Sequence, residues 1–394
     1  MKFFRQVSTP RLILFVASIA VIAAATGAIA VTAFGGGGST PPPKPLAQAI
    51  HDALTAPEPQ GITARIKYMN NLFPSGALVG QAGSALMSGA SGRVWITNDG
   101  RGRLELQSDS GDAQITWNST QVNVYDATSN TDYRFTLPAQ SSTDTGKTKT
   151  PPTLDEITSF LTQLAQHASV SDAQPSNVAG QPAYTVSVSP KHDGGLLGSA
   201  QLAWDAVQGV PLRVAVYAQG NSSPVLELKA TDIAYGPVSS SDVDVSPPAG
   251  AKVVDLTPPT SGSTNGTKPS DVTGLHAVQK AVSFHIAAPD SLVGLPRQTV
   301  QLVGGSDTKS KGVLVVYGQG LGAVVVFEHA VDASGNGNGM QTGALPPVSL
   351  DGVTGHELAT QLGTVVLFDR TGVSYVLAGS MPPAAAEAAA RALK

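Results

Sequence analysis

Cysteine is missing from the 394-residue chain. Its absence removes disulfides, thiolate metal ligands, cysteine nucleophiles and a lipidated N-terminal cysteine together. Aromatic residues make up 5% and charged residues 13% of the sequence, and the net charge is −4. Such a chain carries no basic field of the kind that draws nucleic acid. Hydrolase signatures are also missing. There is no G-x-S-x-G elbow, and in His356-Glu357-Leu358-Ala359-Thr360 a threonine stands where a zinc helix needs its second histidine. His192-Asp193 in a glycine-rich turn and Glu328-His329 at a strand end read as solvated loop residues. The expectation is a protein that binds and does not catalyse, with no cofactor and no metal site.

Glycine (42) and proline (28) are plentiful, which favours short strands joined by turns over long helices. The length suits two cores, since domains usually run to roughly 100–200 residues. One long apolar run stands apart. Leu12 to Phe34 holds 23 residues without a charge, and as a helix it would span roughly 34 Å, enough for a bilayer core. Lys2, Arg5 and Arg11 precede it and the next basic residue is Lys44, so the N-terminus is expected in the cytoplasm and everything after residue 35 outside the cytoplasmic membrane. The alternative is a signal peptide cleaved after Ala28-Ile29-Ala30. Residues 1–36 are thus the cytoplasmic N-terminus and anchor, and residues 37–45 a Gly/Pro spacer.

Residues 46–250 form the first expected domain. LAQAIHDALT places Leu46, Ile50 and Leu54 on one helical face, and LDEITSFLTQL does the same with Ile157 and Leu161. Between and after these helices run strand-like segments with strict alternation: Val94 and Ile96, Leu104 and Leu106, Ile115 and Trp117, Val122 and Val124. Turn residues separate them every eight to twelve positions, as in an antiparallel meander. AWDAVQGVPLRVAVYAQG reads as a hairpin, with Gly209 suited to a positive φ and Pro211 opening the next strand.

Residues 251–272, rich in Pro, Ser, Thr and Gly, read as a linker, and residues 273–394 as a second, smaller antiparallel domain. Its expected strands include AVSFHIAAP, TVQLVGG, GVLVVYG and GVSYVLAG. YGQGLGAVVVFE resembles a phosphate loop in its glycines, but a strand follows where a helix N-terminus is required, so it reads as a hairpin.

Two resemblances rest on these residues. Gly180 to Tyr184, Trp204-Asp205 and Gly209 to Arg213 follow the order found in LolA-type lipoprotein carriers. VVYGQGLGAVVVFEH and GVSYVLAGSMPPAAAEAAARAL resemble the C-terminal domain of MucB/RseB proteins, the sigma-factor regulators. The resemblance implies a mainly β (α+β) protein: a LolA-like antiparallel half-barrel sheet with covering helices, then a smaller antiparallel β domain closed by a C-terminal helix. It further implies a lipid cavity between sheet and helices that takes an acyl chain or lipoprotein segment, and a membrane-bound anti-sigma-like partner; a LolA-like lipoprotein or lipid carrier is the alternative. Members of the MucB/RseB family are soluble periplasmic proteins, whereas this chain carries an anchor-like run. If such a cavity exists, Val94, Ile96, Leu104, Leu106, Ile115, Trp117, Tyr184 and Trp204 are expected to line it. For Trp117, Tyr184 and Trp204 the competing role is core packing, since large aromatics mostly bury area.

Overall fold

The computed structural model describes residues 39–72, 85, 89–137, 151–191, 195–255, 272–304, 311–331 and 345–394. The apolar run Leu12–Phe34 lies outside them, and among the described residues no helix is long and apolar enough to cross a membrane. The chain divides into two compact units, the first made mostly of residues up to Pro258 and the second mostly of residues from Pro259 on.

The first unit is one sheet with its two longer helices on one face. Its strands are β1 (Gly61–Asn70), β2 (Ala90–Thr97), β3 (Gly102–Ser108), β4 (Gly111–Trp117), β5 (Gln121–Asp126), β6 (Thr131–Thr136), β7 (Ala168–Val170) and β8 (Gln174–Val178). They continue with β9 (Gln181–Pro190), β10 (Leu197–Asp205), β11 (Pro211–Ala218), β12 (Pro224–Tyr235) and β13 (Lys252–Asp255), with a one-turn helix α3 (Ser240–Val243) between the last two. In space the order is β13-β6-β5-β4-β3-β2-β1-β12-β11-β10-β9-β7, with β8 also on β9. Two meanders, β1 to β6 and β9 to β12, are therefore joined through the antiparallel β1–β12 pair.

β13 corrects two readings. It lies within the stretch read as linker, and it runs parallel to β6, Lys252 to Asp255 opposite Thr131 to Arg134, in a sheet expected to be antiparallel throughout. The free edge of β6 would otherwise present unpaired backbone groups, and four residues suffice to satisfy them. A segment that short leaves no alternation to detect among prolines and serines.

Helix α1 (Leu46–Thr55) and helix α2 (Leu154–Leu164) pack on each other through Leu54 and Ile157. α2 starts with a capping box: Thr153 Oγ1 accepts from the Glu156 amide at 3.3 Å, and the Glu156 carboxylate accepts from the Thr153 amide at 2.8 Å. Leu46, Ala49 and Ala53 of α1 and Leu161 of α2 lie over Tyr184, Val186, Leu202, Trp204 and Val214 of the sheet.

The hairpin between β10 and β11 forms as expected, and Asp205 builds it. Its Oδ1 accepts from the amides of Val207 (2.8 Å) and Gln208 (2.9 Å), and its Oδ2 accepts from the Tyr235 hydroxyl at 2.6 Å. Burial, and then that bond to Asp205, hold the Tyr235 hydroxyl protonated far above its ordinary range. Gly209 turns the corner at φ +66°, with the backbone of Ala53 so near that a Cβ would overlap it.

The second unit is an antiparallel sheet in the order β14-β15-β16-β17-β21-β20-β19-β18. These strands are β14 (Ser291–Leu292), β15 (Leu295–Gly304), β16 (Lys311–Tyr317), β17 (Val324–Ala330), β18 (Pro347–Leu350), β19 (Val353–Ala359), β20 (Thr364–Arg370) and β21 (Val373–Gly379). Helix α5 (Pro383–Ala392) buries Ala386, Ala389 and Ala390 against it, and the Arg370 guanidinium donates to the carbonyls of Ala390 and Leu393 at the helix's C-terminal end and to that of Leu350 at the end of β18. Tyr317 pairs with Val324 across the glycines of the phosphate-loop look-alike, which is a hairpin.

AVSFHIAAP, expected as a strand, is not one. A short helix α4 (Leu275–Ala281) runs into it, and its backbone is satisfied by side chains. Gln279 Nε2 donates to the Phe284 carbonyl (2.7 Å), Gln279 Oε1 accepts from the Ile286 amide (3.0 Å), and Glu328 Oε2 accepts from the Ala287 amide (3.0 Å). Side chains from two elements replace a neighbouring strand, which no pattern within the nine residues could reveal.

One packing detail is directly testable. The Trp117 indole lies over Gly102, where any Cβ would collide with the ring. Gly102→Val is expected to lower the unfolding midpoint of the first unit, costing about 1–3 kcal/mol by overpacking. Trp117→Leu in the same chain should recover much of that loss in chemical denaturation.

Candidate functional site: an apolar sheet face

Register collects the alternating apolar residues into rows across the first sheet. One row runs Ile233, Ala64, Val94, Leu104, Ile115, Val124, Tyr133 from β12 to β6. The next runs Tyr235, Ile62, Ile96, Gly102, Trp117, Val122, Phe135. Leu106 stands in a third, between Gly92 and Ala113. All of these side chains share a face because the period of a strand is two.

Coverage along the rows is uneven. Near β1, Ile62, Ala64, Ile66, Ile96 and Leu106 are buried together with Ala85, Leu212, Ala230 and Ile233. Toward β4 to β6 the same rows come into the open: Leu104, Ile115, Trp117, Val122, Val124 and Tyr133 are half-buried and Phe135 is 38% exposed. The result is an apolar strip that begins inside a core and ends at solvent.

Of the eight residues expected to line a cavity, Val94, Ile96, Leu104, Leu106 and Trp117 belong to this cluster, and Ile115 lies in its central row. Tyr184 and Trp204 do not join them. They sit opposite each other on β9 and β10, ring centroids 6.1 Å apart, in the separate cluster under α1 and α2. The Tyr184 hydroxyl donates to the Pro42 carbonyl at 2.7 Å, and the Trp204 indole nitrogen is buried without a hydrogen-bond partner among the described residues. Val122, Val124, Tyr133 and Phe135 extend the strip and were not among the expected lining residues. Their signal was present in the alternation of QVNVYDA and TDYRFTL.

The motif that carries the LolA resemblance is structural here. Asp205 clamps its turn, and Arg213 donates to Glu227 (2.7 Å), Gln201 (2.7 Å) and the Tyr217 hydroxyl (2.7 Å) on the opposite face of the sheet. Of the histidines considered for chemistry, His356 has its Nδ1 3.2 Å from the Leu345 carbonyl. Among the described residues no group of histidine and carboxylate side chains is placed to hold a metal ion.

Among its described residues the second unit buries one carboxylate. Glu328 is inaccessible to solvent; one oxygen accepts from Ala287 and the other has no hydrogen-bond partner among the described residues. Burial pushes its pKa up to about 7, against the smaller lowering effect of the Ala287 amide. Tyr375 faces it across β17 and β21, its own hydroxyl pushed up to about 12 by burial and by the Glu328 charge, and Tyr317 is raised by the same two causes.

Solved structures with similar folds include MucB in complex with MucA(peri), 15% identical with a TM-score of 0.41 over 89% of this chain and 96% of that one. The MucA/MucB complex of Pseudomonas aeruginosa matches at 15% identity and a TM-score of 0.41, over 88% of this chain and 94% of that one. A domain described as outer membrane lipoprotein-sorting, from Vibrio parahaemolyticus, matches at 11% identity and a TM-score of 0.17, over 50% of this chain and 94% of that one. The matches to MucB run along most of this chain, at low identity. No protein-family description matches the sequence, and no curated protein does.

The raised Glu328 pKa sets a pH dependence. Between pH 4.5 and about 7 the folded state keeps a proton that the unfolded state has lost, so stability falls as pH rises through that window and is lowest above it. The full penalty is about 3 kcal/mol. Glu328→Gln is expected to flatten this part of the stability profile of the second unit, with the largest gain over the parent chain near pH 8 and convergence near pH 4.5. Denaturant titrations across pH would read it.

Proposed function

We propose that this protein is a membrane-anchored extracytoplasmic binding protein, a regulator of the MucB/RseB kind. Its first unit holds an acyl chain or lipoprotein segment on the apolar strip, and the protein docks on a membrane-bound anti-sigma-like partner. It acts by binding, not by catalysis. The observation that supports ligand binding is the strip itself: apolar rows that continue past the closed core, through Leu104, Ile115 and Trp117, to the half-open residues of β5 and β6. A core that served only stability would have no reason to extend its rows into water. The anchor is supported by the uncharged run from Leu12 to Phe34 and the basic residues before it. The partner is supported by the sequence resemblance to MucB/RseB proteins and by MucB having been solved in complex with MucA(peri).

A carrier role is the second reading, favoured by the carrier-like turn of Trp204 to Arg213. A shuttle has to leave the membrane, so the N-terminus of the mature protein separates the two. Cleavage after Ala30 supports the carrier, and an intact Leu12–Phe34 segment supports the regulator.

Ligand binding has a built-in reporter, because the three tryptophans are Trp95, Trp117 and Trp204. With Trp95→Phe and Trp204→Phe in place, a lysophospholipid or acylated peptide is expected to shift the Trp117 emission to the blue. Native mass spectrometry of the same chain should show the added mass. Leu104→Gln with Ile115→Gln should weaken binding by roughly tenfold or more, given the apolar area withdrawn from the ligand. No shift and no added mass over a wide lipid concentration would sink the reading.

A further inference from the structure

The face of the first sheet turned away from α1 and α2 carries a different chemistry. On β1 and β2 its outward residues include Arg65, Lys67, Arg93 and Trp95. Arg65 stands directly opposite Arg93 across the β1–β2 pair, and Lys67 directly opposite Lys229 across the β1–β12 pair. Like charges in directly opposed positions destabilise a sheet. Arg65, Lys67 and Arg93 are exposed and form no ion pair among the described residues. The nearby carboxylates are mostly committed elsewhere. Glu105, directly opposite Arg93 across the β2–β3 pair, is paired with Arg103, and Glu227 with Arg213 (2.7 Å) and Lys229 (3.4 Å), which leaves Asp232 opposite Arg65. Arg93 also leans on the Trp95 ring, 5.6 Å from its centroid.

We propose that this face docks on an anionic bilayer surface, the cations of β1 and β2 meeting lipid phosphates and Trp95 lying at the headgroup level. The inference rests on the anchor reading above. If Leu12–Phe34 spans the membrane, only the steps from Phe34 to Ser39 separate the bilayer from a residue tied to the sheet, a reach of at most about 18 Å. Ser39 is held there through the Asn177 amide, which donates to its carbonyl at 3.4 Å. A unit so tethered stays within reach of the surface, where unpaired cations gain most from anionic lipid. An acidic peptide is the poorer fit. β1 lies between β12 and β2, and β2 between β1 and β3, so neither offers a free edge that could seize a peptide backbone.

The absence of native cysteine makes the test clean. Ser91→Cys places a single spin label on this face, opposite Lys67 and exposed. The full chain is mixed with vesicles of phosphatidylcholine alone or with phosphatidylglycerol, floated, and the label's access to a lipid-borne paramagnetic relaxant is measured. Access is expected to rise severalfold in the anionic vesicles only, and to be lost with Arg65→Glu/Lys67→Glu/Arg93→Glu. It should also be lost near 1 M salt, where the screening length falls to roughly 3 Å. Arg65→Lys/Arg93→Lys should keep it, which separates charge from fold. A chain that floats with both vesicles and shows equal access overturns the docking and leaves the anchor standing. A chain that floats with neither overturns both, and one that floats with anionic vesicles alone supports the docking and removes the anchor. Protection of the label by polyglutamate but not by anionic lipid overturns the proposal in favour of an acidic polypeptide partner.

Discussion

The pairing of β1 with β12 is the contact on which the first unit depends. It joins residues about 165 positions apart in sequence, Ile62 with Tyr235 and Ala64 with Ile233 among them, and without it there would be two meanders and no common face. Register matters as much as pairing. A slip by one residue would turn Ile62, Ala64 and Ile66 to the outer side and bring Arg65 and Lys67 into the core. The irregularity between Arg65 and Ile66, where the β12 strand accommodates an extra residue, adjusts the register midway along this pair. Because the closure spans most of the unit's sequence, its entropy must be offset by contacts formed together, which places this pair among the later and slower events expected of such topologies.

Once that register is set, alternation produces two faces of opposite character. The inner rows bury Ile62, Ile96 and Leu106 and let Trp117, Val122 and Phe135 approach solvent; the outer rows set Arg65 against Arg93 and bury the Arg213–Glu227 pair. The outer pair is not a simple gain in stability, since two charges lose hydration there. It is tolerable because Gln201 and Tyr217 complete the hydrogen bonds of the guanidinium.

Much of this architecture was legible in the sequence, and the parts that were not share a cause. Val94 with Ile96, or Leu104 with Leu106, announce a half-buried strand within five residues, and Gly209 with Pro211 announce its turn, because period and turn chemistry are local. Six of the expected lining residues fall on one face for the same reason, since parity along a strand decides the side. Parity does not decide depth. Tyr184 and Trp204 obey the same alternation as Trp117 and yet lie under α1 and α2, a placement set by where Leu46, Ala49 and Leu161 come to rest. β13 was hidden because four residues carry too little pattern, and the non-strand at Ala281 to Pro289 because the groups that satisfy its backbone, Gln279 and Glu328, belong to other elements.

Glu328 shows what that second kind of information costs. A carboxyl group in a valine-lined core loses its hydration, and a single amide bond from Ala287 restores only part of the loss, so the side chain keeps its proton well into the neutral range. An apolar residue there would pack without that penalty but would leave the Ala287 amide buried with no acceptor, and the extended stretch that follows α4 would lose its tie to β17. The residue is therefore best understood as a compromise between core stability and the path of that segment. The same trade governs Asp205, whose buried carboxylate is fully committed to two amides and a tyrosine hydroxyl. The difference is in the number of donors: three around Asp205 satisfy the charge and fix a turn, while the single amide at Glu328 fixes a chain path and leaves the charge uncompensated.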